Sequence, residues 1–126
     1  MAKKTKRTSK TLTAVVSDWP GGKIHEVAGF RTACLYCGIK SKPGNPDLAL
    51  LACDAPAAAA AVFTTNLVCA APVQYSRAAL KKSKGRVRAV VINSGNANAC
   101  TGAQGERDAA AMARLTAKRL GGKPEQ

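Results

Sequence analysis

Aromatic residues, acids and histidine are all scarce in this 126-residue chain. Two Phe, two Tyr and one Trp are set against 25 Ala, and alanine gains little on burial, since stabilisation scales with the apolar carbon removed from water, about 0.8 kcal/mol per CH₂. A core built this way is thin, and it suggests a part of something larger. No apolar run approaches the roughly 20 residues that a membrane-spanning helix requires; the longest, residues 55–62, is mostly Ala and contains Pro56. At 46% hydrophobic residues, however, the chain is too apolar for a disordered polybasic tail.

Phosphate-binding motifs are missing as well. Gly95, Gly102 and Gly105 do not form the G-x-G-x-x-G pattern, and no Gly-Lys-Ser/Thr closes a glycine-rich loop. Five cysteines, an odd number scattered along the chain, do not make a disulfide framework and fit a reducing compartment. Cys34 and Cys37 form a lone C-x-x-C, but Cys53, Cys69 and Cys100 are isolated and His25 is the only imidazole. Zinc would need two further ligands at suitable spacing, so the expectation is no metal site.

Charge is abundant in one sign only: 20 Lys+Arg face 7 Asp+Glu, a formal net charge of +13. Lys3, Lys4, Lys6, Arg7 and Lys10 crowd the first ten positions, and Arg77, Lys81, Lys82, Lys84, Arg86 and Arg88 form a second acid-free cluster. Such runs are usually solvated; the competing reading is a small basic nucleic-acid-binding module. That module would need interleaved aromatics, and Tyr75 is the only one near the second cluster. Residues 1–13 lack the apolar stretch and cleavage site of a secretory signal, and they lack the amphipathic stripe of a mitochondrial transit peptide. A cytoplasmic protein is expected, in the mitochondrial matrix if eukaryotic.

Residues 1–23 read as a flexible basic arm ended by Trp19-Pro20-Gly21-Gly22, and residues 24–126 as the folded segment. Residues 48–52, bounded by Pro and Gly before and by Asp54-Ala55-Pro56 after, predict a strand buried on both faces. Residues 61–65 predict a neighbouring strand, and Ser76 a cap for a short helix over 77–82 that Gly85 ends. Residues 87–92, β-branched at four of six positions, predict a strand near the sheet centre. Thr101 and Gln104 fit a capping box. The helix that follows, 102–120, presents Ala109, Met112, Ala113, Thr116, Ala117 and Leu120 on one face and stops at Gly121-Gly122. The expected fold is α/β, a mixed sheet packed by this Ala-rich helix. No further strand follows the helix, so the chain reads as interrupted at Gln126.

Between the best strand and the best helix lies Asn93-Ser94-Gly95-Asn96-Ala97-Asn98-Ala99-Cys100-Thr101-Gly102. Asn and Gly tolerate left-handed backbone, and Asn amides bind their own turns. Loops at strand C-terminal ends beside helix N-termini are favoured ligand sites, so Asn93, Ser94, Gly95, Asn96, Asn98, Thr101 and Gly102 are the candidate wall of a binding site.

This block, with Phe63-Thr64-Thr65-Asn66, Ala70-Ala71-Pro72-Val73, Val27-Ala28-Gly29-Phe30-Arg31, Cys37-Gly38-Ile39-Lys40 and Asp47-Leu48-Ala49-Leu50, resembles the N-terminal part of the bifunctional ornithine acetyltransferase / glutamate N-acetyltransferase family over about residues 24–122. The resemblance implies a partial unit of that family's layered fold. It also implies transfer of acetyl from N2-acetylornithine to glutamate in arginine biosynthesis, with acetyl-CoA as a possible further substrate, no cofactor, no nucleic acid and no membrane. In the family a precursor cleaves itself before a Thr, and the resulting α and β chains assemble as a heterotetramer. The new N-terminal Thr is the nucleophile, its own α-amine, with a pKa of roughly 8, serving as base. A Thr-Gly pair in a Ser-Thr-Gly-Val-Ile-Gly stretch supplies the oxyanion hole. Neither motif falls within residues 1–126, and Thr101-Gly102 is not that pair, because its neighbours match the Asn-rich block. The resemblance therefore implies a truncated α-chain segment, inactive alone and without a catalytic residue of its own.

Overall fold

A computed structural model describes residues 20–126; the basic arm expected over 1–23 lies outside them except for its last four residues. After a single 3-10 turn at Ile24–Glu26, the elements run β1 (Phe30–Leu35), β2 (Leu48–Ala58), α1 (Ala71–Lys82), β3 (Arg86–Asn93) and α2 (Gly102–Leu120). The three strands form one sheet in the order β1-β2-β3. The mixed α/β class stands, but both pairings are antiparallel, so among the described strands the sheet itself is not mixed.

The strand expected at 87–92 is present as β3 but at an edge of this sheet; β2 is central. Six residue pairs join β2 to β1, from Phe30↔Cys53 to Leu35↔Leu48, and β3 lies along its other side from Leu48↔Asn93 to Ala58↔Arg86. Asp54-Ala55-Pro56 does not end β2. Opposite Arg88 the register jumps between Ala52 and Ala57, and Pro56, which cannot donate to a ladder, is accommodated in that irregularity. The strand expected at 61–65 is irregular chain: the ladder ends where Ala59 N donates to Gly85 O (2.8 Å), and past that point no strand among the described residues lies alongside. Arg77 holds this stretch instead, its guanidinium 5.3 Å from the Phe63 ring centre and bonded to Thr64 O at 2.9 Å.

Helix α1 begins five residues before Ser76, with Ala70 at its N-cap and Pro at its first turn, where a ring-fixed φ and a missing N–H are harmless. Ala71 N donates to Asn98 O at 3.2 Å, which seats this helix start against the Asn-rich loop. Helix α2 has the expected bounds and stop: Gly121 adopts φ +64°, and the amides of Gly121 and Gly122 both return to Ala117 O.

One face of the sheet, with Ala33, Leu50 and Val91 in register, looks towards Leu115, Thr116 and Leu120 of α2. A cavity of about 330 Å³ lies between β3 and the two helices, lined by Phe63, Tyr75, Leu80, Val87 and Met112 among others. The small-residue face of α2 thus borders α1 and this cavity. The buried apolar core consists of Ala52, Ala71, Ala109 and Ala117 among the described residues, as thin as the composition implies. On the opposite face of the sheet Val90 and Ile92 of β3 are exposed, while Ala49 and Leu51 of β2 are half-buried, so the burial expected of 48–52 on both faces is partial.

Candidate functional site

The Asn-rich loop leaves β3 at Asn93, whose Nδ2 donates to Asn96 O at 2.7 Å. Asn96 Oδ1 accepts from Asn98 N at 2.8 Å, closing a side-chain-to-backbone turn. Gly95, Asn98, Cys100 and Gly102 all have positive φ, at +106°, +49°, +57° and +59°. Left-handed backbone is uncommon for non-glycine residues, with Asn enriched among the exceptions, and here Asn98 is fixed by its own side chain. Its Nδ2 donates to Gly105 O at 2.8 Å, and its Oδ1 accepts from Thr101 Oγ1 at 2.6 Å. One carboxamide thereby ties the loop to the first turn of α2.

The capping box expected at Thr101 and Gln104 does not form. Thr101 sits at φ −98°, ψ 1°, outside the extended geometry of an N-cap, and makes no cap hydrogen bond. Its hydroxyl goes to Asn98, and the Gln104 side chain bonds Asp108 and Arg107 (both 2.7 Å). Gly105 matters in a way the sequence did not suggest. A Cβ there would run into Thr101 Oγ1 and Asn98 Oδ1 and lie 2.8 Å from Thr101 Cβ, so the loop packs directly on bare helix backbone.

A second residue missed in the sequence is Asp47, the most buried polar side chain among those described, at 1% exposure. Its carboxylate accepts from Cys37 N and Ile39 N at 2.7 Å each and from Lys40 N at 3.0 Å. Its backbone N–H donates to Leu35 O, and its carbonyl accepts from Ser94 N at 2.8 Å. Burial is the largest influence on this carboxyl and works against its charge, but the three amides and the neighbouring Cys37 thiol outweigh it and hold the pKa down to about 2. The same contact pushes the Cys37 thiol up, chiefly through its hydrogen bond to Asp47. An Asp between Pro46 and an apolar run was the only available signal, and it does not reveal which amides will converge on it.

The seven residues expected to wall a site thus form one ordered loop seated on α1, on α2 and, through Asp47, on the 37–40 turn. Cys34 and Cys37 are both free and exposed, and among the described residues no group of three or more metal-ligating side chains converges. Of the second basic cluster, Arg77 stacks on Phe63, Arg86 bonds Pro56 O, and Lys82 pairs with Glu125 at 3.5 Å.

The ArgJ family model matches residues 31–126. The chain belongs to the ArgJ family. A curated relative from Chlorobaculum tepidum, named "Arginine biosynthesis bifunctional protein ArgJ", is 53% identical over 107 residues, which are 85% of this chain and 26% of the relative. A Populus trichocarpa ArgJ, 48% identical over 85% of this chain and 22% of its own length, is named chloroplastic, which lends the mitochondrial expectation no support. Among solved structures, ArgJ from Bacillus halodurans superposes with a TM-score of 0.75 at 33% identity, covering 82% of this chain and 53% of that one. Ornithine acetyltransferase from Mycobacterium tuberculosis, described as complexed with ornithine, superposes with a TM-score of 0.67 at 48% identity, covering 75% and 48%. The fold described above is therefore a partial unit of the ArgJ structure, and the chain spans about a quarter of the length of the curated ArgJ relatives it matches. No helix among the described residues is long and apolar enough to cross a membrane.

Proposed function

We propose that this chain is an N-terminal α-chain segment of an ArgJ acetyltransferase of arginine biosynthesis, which moves acetyl from N2-acetylornithine to glutamate without a cofactor and also accepts acetyl-CoA as donor. In this reading the 93–102 loop forms one wall of the site. The nucleophilic Thr and the oxyanion-hole pair come from other parts of the enzyme, and the segment is inactive alone. Its location is cytoplasmic, and its partner is a β chain in a heterotetramer.

The observation that carries the reading is the family match over residues 31–126, which includes the whole loop. Lengths support cleavage into two chains: a stretch amounting to 26% of the curated Chlorobaculum relative amounts to 53% and 48% of the two solved chains, so those polypeptides are about half as long. The open sheet face bearing Val90 and Ile92 is of the kind that a larger fold covers. Acetyl transfer from N-acetylornithine to glutamate is measured on two proteins. The 126-residue chain should show none, and turnover by it refutes the inactivity. The Chlorobaculum protein carrying residues 31–126 of this chain in place of its own should be active; a folded, inactive chimera refutes the assignment.

A further inference from the structure

We propose that Asp47 is a positioning residue for the 93–102 loop, acting through the 37–40 turn. Three amides of that turn end on its carboxylate, and its own carbonyl receives the amide of Ser94, the first residue past β3. The turn and the loop also touch directly. A Cβ on Gly95 would lie 2.9 Å from Lys40 Cγ and 3.4 Å from Ile39 Cγ2, so the loop leans on two of the three residues whose amides Asp47 holds. Asp47 is thus the junction of the β1–β2 connection and the loop, and a carboxylate kept out of water in this way loses its geometry if its charge is removed. The importance of the loop for acetyl transfer rests on the reading above; its dependence on Asp47 does not.

Amide hydrogen exchange on the full chain tests this. In Asp47→Asn, the amides of Cys37, Ile39 and Lys40 should exchange at least ten-fold faster, and those of Ser94 and Asn98 with them, while Leu51 and Val90, a hydrogen-bonded pair of the β2–β3 ladder, keep their protection. Acceleration confined to the turn overturns the proposal, leaving Asp47 a local latch. If Asp47→Asn loosens Leu51 and Val90 too, Gly95→Ala decides from the other side: faster exchange at Ile39 and Lys40 upholds the coupling, and native rates there refute it. If the loop follows Asp47 but Asn98→Ala leaves acetyl transfer by the chimera intact, positioning stands and the site-wall reading falls.

Discussion

Replacing Gly105 by Ala should destabilise this chain, against the ordinary rule for helices. Glycine inside a helix costs about 0.5–1 kcal/mol relative to alanine, so Gly→Ala at such a position normally stabilises. Here the added methyl meets Thr101 Oγ1, Asn98 Oδ1 and, at 2.8 Å, Thr101 Cβ. Making room requires opening the Thr101–Asn98 bond (2.6 Å) and the Asn98–Gly105 bond (2.8 Å), each worth about 0.5–1.5 kcal/mol net. Overpacking strain adds about 1–3 kcal/mol. Set against the gain in helix propensity, the balance is a loss centred on about 3 kcal/mol, which for a chain of this length lowers the melting midpoint by about 10 °C. Thermal unfolding followed by far-UV circular dichroism measures it. The same substitution in an Asn98→Ala, Thr101→Gly background should recover the ordinary stabilisation, because all three colliding atoms are gone. A wild-type-background Gly105→Ala protein that melts at or above the parent temperature would refute the packing described.

Two further predictions concern Asp47. Its pKa is depressed from 3.8 to about 2 in the folded chain, so the unfolded chain binds more protons between those values. The stabilisation is fully present above about pH 4 and is lost as the pH falls through 2. The urea midpoint should therefore drop more steeply over that window in the parent than in Asp47→Asn; parallel curves would count against the carboxylate contacts. The raised thiol pKa of Cys37 means less thiolate at pH 7.5. Although exposed, Cys37 should alkylate with iodoacetamide several-fold more slowly in the folded chain than in urea, as read by peptide mass spectrometry, and equal rates would show that Asp47 does not hold the proton.

The elements legible in the sequence were those with strong local signals. Residues 87–92 were legible through β-branching, and 102–120 through their period and the Gly-Gly stop. The start of α1 was misplaced because Ser76 offered an obvious cap, whereas Pro72 marked the first turn. Strand β1 was not visible, since Arg31 and Thr32 break the apolar pattern of a strand exposed along most of its length. Residues 61–65 have strand-like composition but no neighbouring strand among the described residues, and propensity cannot supply one. Within the site, the loop was legible from its Asn and Gly content. The roles of Gly105 and Asp47 were not, because both depend on backbone atoms brought close only by the fold.

The order β1-β2-β3 also bears on how the chain assembles. Strands β1 and β2 are joined through residues 36–47, whereas β2 and β3, although adjacent, are separated by the excursion 59–85 that contains α1. Closure entropy grows by about 0.6 kcal/mol for each doubling of a flexible loop, and the second connection is roughly twice the first. Closure alone therefore favours the β1–β2 hairpin as the earlier pairing, with β3 joining once α1 has shortened the path. The Asn-rich loop, hung between β3 and α2, is then among the last parts of the chain to find its place.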